Sequence, residues 1–485
     1  MRVAVIGAGV SGIAAAKCLL DEGLEPVVYE QGTTLGGVWR YDEALPDGGG
    51  PAYRGLHTNT SKQTTAFSDF PFPAHLPDFP PRSEMLRYLD DYADHFHVRE
   101  HIRFATELVK VTPAGAGRWL VASRSPDGNN VESFDAVFVC SGVFRDPILP
   151  SLPGAETFTG TILHSRAYTV PAPFANQTVL VVGAGSSATD VALETSAVAR
   201  HVYMSVRELP SSGAEQPQPP RQGGWQTWLA RVISQQMRQR LARHALLVLA
   251  RALHYRRRSA PDAPFAPNPT SFTPHPKLRD PLAAGTVTFK PAITKLNGNM
   301  VEFADGTQTQ IDTIVCATGY ALGFPFFDPS VLRPSQDGLD LYRLIVPPAW
   351  PTLACMGMFR VSGPAPPVAE MQARWAVAIV QGQVRLPSAQ AMWRAIMNRR
   401  ALLNKTGGHP LRLNAEAYQD MLAAEIGALP RLWCRPWLWH AILAGPPVAA
   451  QYRLDGPDHW PRAARVLKGE AIDIGPSTNE WAQGA

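Results

Sequence analysis

Two glycine-rich hexapeptides carry most of the chemistry this chain could do: Gly7-Ala8-Gly9-Val10-Ser11-Gly12 near its start and Gly183-Ala184-Gly185-Ser186-Ser187-Ala188 in its middle. Each follows a short apolar run, Val3 to Ile6 and Val179 to Val182, and opens a run with helical patterning. In that setting the first glycine makes a tight turn, the second lets a pyrophosphate reach the backbone, and the third small residue lets helix pack on strand. Phosphate then rests on the free N–H groups of the helix start. Two such motifs imply two dinucleotides side by side, an arrangement suited to passing a hydride between them.

The residue that ends each following strand sorts the two nucleotides. Glu30 follows Gly7 by 23 positions and suits the ribose hydroxyls of an unphosphorylated ADP moiety, such as that of FAD. Arg207 follows Gly183 by 24 positions, after the strand-like run His201 to Ser205. A guanidinium there pairs with a ribose phosphate and favours NADPH over NADH. Gly183, Gly185, Ser186, Ser187, Ala188, Thr189 and Asp190 are the other candidate NADPH residues.

The elements that must hold these groups repeat. Phe134-Asp135-Ala136-Val137-Phe138-Val139-Cys140-Ser141-Gly142 closes the first unit, and Ile311-Asp312-Thr313-Ile314-Val315-Cys316-Ala317-Thr318-Gly319 closes the second in the same style. Continuous apolar runs of this kind are strands buried on both faces of a parallel sheet. The expected fold is therefore α/β: two nested doubly wound, Rossmann-like units. Residues 1–165 and 320–485 would form an FAD unit with a C-terminal cap, and 166–319 an NADPH unit with an insertion at about 211–280.

At 485 residues the chain is long enough for two or three cores, and a formal net charge of +4 points to no nucleic-acid partner. Five cysteines without a CxxC pair argue against a zinc site, a disulfide framework or a redox-active disulfide. No apolar run reaches the roughly 18 residues of a spanning helix, and the first strand begins without a basic leader, so the expected location is cytoplasmic. One segment complicates that. Between Gln216 and Pro261 there are nine arginines and no acid, with Trp228, Leu229, Val232, Ile233, Met237 and Leu241 at helical spacing. A basic helix over 225–258 either lies on an anionic membrane surface or packs on the protein with a solvated arginine face. Homodimerisation is left open.

Other motifs resemble those of flavin-containing monooxygenases. Phe158-x-Gly160-x-x-x-His164-x-x-x-Tyr168 resembles their identifying motif, Gly36-Gly37-Val38-Trp39-Arg40 their flavin-contacting turn, and Ala317-Thr318-Gly319-Tyr320 their closing strand. Thr58-Asn59 and Asp69-Phe70-Pro71-Phe72-Pro73 resemble their active-site segment. Ala369-Glu370-Met371-Gln372-Ala373-Arg374-Trp375 and Gln451-Tyr452-Arg453-Leu454-x-Gly456-Pro457-x-x-Trp460 resemble the animal-type branch. The resemblance spans nearly the whole chain. It implies that NADPH reduces FAD, that the reduced flavin captures oxygen as a peroxyflavin, and that one oxygen atom passes to an amine nitrogen or a sulfur of a small molecule. It further places Gly37, Val38, Trp39, Thr58, Asn59, Thr60, Thr318 and Gln372 at the cofactors, with Asn59 as the catalytic polar group orienting nicotinamide and peroxide. Baeyer–Villiger enzymes usually carry Trp where Tyr168 stands, so the resemblance favours heteroatom oxygenation over ketone-to-ester insertion. Those two reactions, and a membrane-associated flavoprotein without turnover, are the competing readings. His164 and Tyr168 fall at the junction of the two units and need not touch substrate.

Overall fold

The apolar run at the chain start becomes the central strand of a parallel sheet, because Val3, Ala4 and Val5 are fully buried and a residue alternates faces at each step. In the computed structural model, which describes residues 1–42, 50–115, 117–207, 276–335, 338–406, 408–470 and 472, this sheet has five parallel strands. Their order is Leu353–Cys355, Ala136–Val139, Arg2–Ile6, Glu25–Tyr29 and Ile102–Arg103. The second sheet repeats the pattern with Val287–Lys290, His201–Ser205, Thr178–Val182, Thr313–Cys316 and Thr161–His164. In both, the strand before the glycine turn is central, the next strand lies on one side and the closing strand on the other. The order in which strands are added therefore reverses beside each glycine turn, the switch point where such sheets bind ligands.

The strand Thr161–His164 pairs with Thr313–Cys316, in the second sheet. The chain thus enters the second sheet before residue 165, where the expected boundary fell; a short edge strand in the run-up to the second fingerprint carries too little pattern to show which sheet it joins.

Core packing separates the two faces of the first sheet. Val3 and Val5 pack with the helices Val10–Asp21, Arg82–His95, Ala365–Val380 and Ala415–Glu425. Ala4 and Ile6 face Trp119, Val121 and Phe134 of a three-stranded antiparallel sheet, together with Phe324, Phe326 and Phe327. The C-terminal helices therefore cover the first unit. Pro366 and Pro367 fall in the first turn of Ala365–Val380, where a missing N–H costs no helical hydrogen bond. That explains how a proline-rich segment leads into a helix.

The basic stretch 225–258, the expected membrane contact and nearly all of the expected insertion lie outside the described residues. Among the described residues no helix is long and apolar enough to cross a membrane.

Candidate functional site

The first glycine turn is shaped by close backbone approaches. Gly7 has φ +101°, and a Cβ there would lie 2.8 Å from the Cys140 carbonyl oxygen. A Cβ on Gly12 would sit 1.7 Å from the Gly7 carbonyl oxygen, so helix and strand cross without room for a methyl group. Gly37 brings a second loop against the turn: its Cβ would lie 2.9 Å from the Gly9 Cα, and the Gly36 N–H donates to the Ala8 carbonyl at 3.0 Å. Glu30 closes the cradle. Its carboxylate accepts from the Ala8 N–H at 2.9 Å and the Gly32 N–H at 2.7 Å.

Both glycine turns open onto one cleft of about 1330 Å³. Gly7, Gly9, Val10, Ser11, Glu30, Gly37, Val38, Trp39, Thr58, Asn59 and Thr60 line it from the first unit. From the second unit come Gly183, Gly185, Ser186, Ser187, Asp190, Arg207 and Thr318. The helices Val10–Asp21 and Ser186–Ser196 both start at a glycine without a side-chain cap and with no acid in the first turn. Their first N–H groups are thus left for an anionic ligand. The buried hydroxyls Thr58 Oγ1 and Ser141 Oγ, both at the cleft wall, have no hydrogen-bond partner within the protein. Asn59 is exposed to the cleft. A dinucleotide at each turn fits these free donors and the space that the glycines leave open. Ser141 was not singled out from the sequence, although its place just after the closing strand is the signal that could have found it.

Ala8, Gly12, Ala188 and Thr189 stand behind the cleft wall, Ala8 and Ala188 fully buried, and shape the turns by packing. Gln372 is not among the residues that line the cleft. It is fully buried away from the cleft, its amide oxygen accepting from the Gly357 N–H at 2.9 Å and its amide nitrogen donating to the Tyr418 hydroxyl. It supports the cleft wall through Gly357, while Ala369, one turn earlier on the same helix, lines the cleft itself. Register also refines Arg207. Gly7 N–H donates to the Tyr29 carbonyl and Gly183 N–H to the Ser205 carbonyl, so Glu30 matches Val206 and Arg207 lies one residue farther out.

The junction motif is structural. His164 Nδ1 accepts from the Arg166 N–H at 3.1 Å, which leaves Nε2 to donate to the Gly319 carbonyl at 3.0 Å. Burial, with the nearby Arg166 charge, holds this imidazole below its ordinary pKa, the Gly319 bond opposing. The neutral ring ties the edge strand to the closing turn. Tyr168 donates to Glu194 at 2.6 Å, while Tyr53, from the first unit, donates to Asp190 at 2.7 Å on the same helix. Their rings meet edge to face at 5.7 Å. Removing one donor in Tyr168→Phe should cost roughly 1–3 kcal/mol, read as a lower thermal midpoint of the holoenzyme with its flavin spectrum retained.

Three motif segments meet away from the cleft, in a buried ionic knot. Asp69, fully buried, lies 2.5 Å from Lys17 Nζ and 3.0 Å from Arg453. Arg453 also reaches Glu370 at 2.9 Å, and Glu370 accepts from the Ser68 N–H at 2.7 Å. Arg374 pairs with Asp458 at 3.2 Å. Asp69, expected in the active-site segment, therefore faces the core, where Phe72 stacks on Tyr88 and Phe70 packs against it at a tilt. Lys17 had no sequence signal, since a lone lysine in a helix reads as solvated.

The fold and the cleft define a flavoprotein oxidoreductase of the two-dinucleotide class. A family model for flavin-binding monooxygenase-like proteins matches residues 1–471. The chain belongs to that family, an enzyme family that uses FAD and NADPH. The N-oxide-forming dimethylaniline monooxygenase 2 of Oryctolagus cuniculus is 36% identical, the match covering 96% of this chain and 91% of the relative. Flavin-containing monooxygenase 1 of Canis lupus familiaris is 35% identical over the same shares of the two chains. Among solved structures, S-allyl-L-cysteine S-oxygenase from Allium sativum matches with a TM-score of 0.68 at 24% identity, covering 88% of each chain, a likeness of fold.

Proposed function

We propose that the protein uses NADPH, FAD and molecular oxygen to transfer one oxygen atom to a nucleophilic nitrogen or sulfur of a small molecule, by way of a peroxyflavin. One observation carries this reading: both glycine turns, Asn59 and Arg207 line a single cleft, so two nucleotides and a substrate can meet there. Reduced flavin supplies the oxygen chemistry. The chain's own residues bind and orient: the uncapped helix starts take the pyrophosphates, Glu30 the flavin ribose, and Arg207 the ribose phosphate of NADPH. Asn59 offers its amide to the nicotinamide side of the cleft. Support for nitrogen comes from the match to N-oxide-forming relatives over nearly the whole chain, and Tyr168 at the junction favours a heteroatom, nitrogen or sulfur, over ketone insertion.

The holoenzyme supplied with NADPH and a tertiary amine, a dialkyl sulfide or a cyclic ketone tests the proposal. N-oxide or sulfoxide formed mole for mole with NADPH consumed is the expected result. Ester from the ketone alone, or hydrogen peroxide with every compound, overturns it. Arg207→Gln should raise the KM for NADPH on the order of tenfold or more while leaving that for NADH unchanged, because a charge-assisted bond to phosphate is lost. An unaltered preference for NADPH would assign the phosphate to another residue.

A further inference from the structure

The anionic groups of two dinucleotides account for the uncapped helix starts and for Arg207, yet the cleft wall also carries Arg40, Arg145, Arg166, Arg360 and Arg412. Arg360 and Arg412 stand directly opposite each other on the parallel strands Arg360–Ser362 and Arg412–Asn414, whose backbones join through the Arg360 N–H and the Leu411 carbonyl at 2.7 Å. Both line the cleft. A Cβ placed on Gly319 would lie 3.3 Å from Arg360 Nη2, so this guanidinium reaches the closing turn that carries Thr318.

No acid balances the pair among the described residues. The acids that share the cleft wall are otherwise engaged: Glu30 with the Ala8 and Gly32 N–H groups, Asp190 with Tyr53, and Glu107 with Arg124. His409, two residues before Leu411, cannot compensate either. Its Nδ1 accepts from the Leu411 N–H at 3.1 Å, and burial together with the Arg360 and Arg412 charges holds it at about 4. Burial and the Arg412 charge likewise push the Arg360 guanidinium below its ordinary value. Two like charges in register on neighbouring strands, both exposed to the cleft, repel each other. Such an arrangement is stabilised by an anion, and a guanidinium fork fits a carboxylate with two parallel bonds.

We infer that Arg360 and Arg412 form a subsite for the carboxylate of the substrate, so that the molecule oxygenated is an anion carrying its soft nitrogen or sulfur a few bonds away. This rests on the monooxygenase reading above and names the substrate class for it.

The test uses the holoenzyme and a matched pair of thioethers, (methylthio)butanoate and (methylthio)butanamide, which differ only in charge. The butanoate should be preferred in kcat/KM on the order of tenfold or more, the scale of one charge-assisted hydrogen bond. Arg360→Gln and Arg412→Gln, singly and together, should bring that ratio toward one, mainly through KM for the butanoate, and Arg360→Lys should recover part of it. A wild-type ratio near one overturns the inference. So does a variant that raises KM for NADPH with the ratio intact, because the arginines would then serve the nucleotide. If NADPH is consumed and neither thioether is oxygenated, the proposed function fails, and titration of the flavin absorbance with the same two compounds still reads the subsite. Tighter binding of the butanoate, lost in the variants, supports it; equal binding overturns it.

Discussion

Arg453→Met should destabilise the protein by about 3–5 kcal/mol, the scale on which removing one partner of a buried ion pair strands the other. Arg453 is 1% exposed and reaches Asp69, Glu370 and the Ser68 hydroxyl, which lie up to 385 residues away in the chain. Without it, the charges left beside the two buried carboxylates are Lys17 and Arg374, with Ser68 still donating to Glu370. The expected readout is a thermal midpoint lower by several degrees and faster unfolding, whereas Arg124→Met, at the exposed pair with Glu107, should change stability by less than about 1 kcal/mol. Similar small losses for both would show that the knot is solvated. The pH dependence has a definite sign. Burial would raise the Asp69 carboxyl, but the Arg453 and Lys17 charges outweigh burial and hold it at about 2. Its folded-state value is thus below the unfolded value of about 3.9, so its contribution is complete above that pH and is lost as pH falls toward 2. Wild type should lose stability across that window, and Arg453→Met, whose Asp69 carboxyl is held down mainly by Lys17, should lose less of it there.

Gly12→Ala should cost the protein its FAD, and Gly183→Ala its reduction by NADPH with FAD retained. The added methyl at position 12 would sit 1.7 Å from the Gly7 carbonyl oxygen, an overlap that only a shift of the helix start can relieve. At position 183 the residue has φ +131°, and its Cβ would lie 2.6 Å from the Ala317 carbonyl oxygen. Strain of that kind costs about 1–3 kcal/mol or more, hence roughly a ten- to hundredfold loss of affinity at the turn concerned. Flavin content per protein after purification reads the first variant, and the rate of anaerobic flavin bleaching by NADPH reads the second. Loss of FAD from Gly183→Ala would show that the two cradles are not independent.

Much of this enzyme was legible in the residues. The central strands, the glycine turns and the closing strands are specified by neighbours a few positions apart, and the structure places Arg2–Ile6 and Thr178–Val182 where the apolar runs fell. Glu30 stood out because the distance from a glycine turn to the end of the next strand is set by one helix and one loop. The same counting put Arg207 level with Glu30, and the structure moves it one residue outward, because the loops need not match in length.

Other features depend on residues far apart in the chain. Asp69, Glu370 and Arg453 all lie in segments with a family resemblance, yet nothing in their spacing showed that they face one another in the core and not the cleft. Gln372, expected at the cofactor, is buried one hydrogen bond behind Gly357 of the cleft wall, a contact between segments that spacing alone did not show. Arg360 and Arg412 looked like two unrelated arginines until strand pairing set them opposite each other. Local patterning therefore specified the strands, the turns and the two nucleotides, since backbone geometry at a glycine turn is a short-range property. Which charges are buried together, and which stand unmatched in the cleft, followed from packing between segments that no short-range pattern relates.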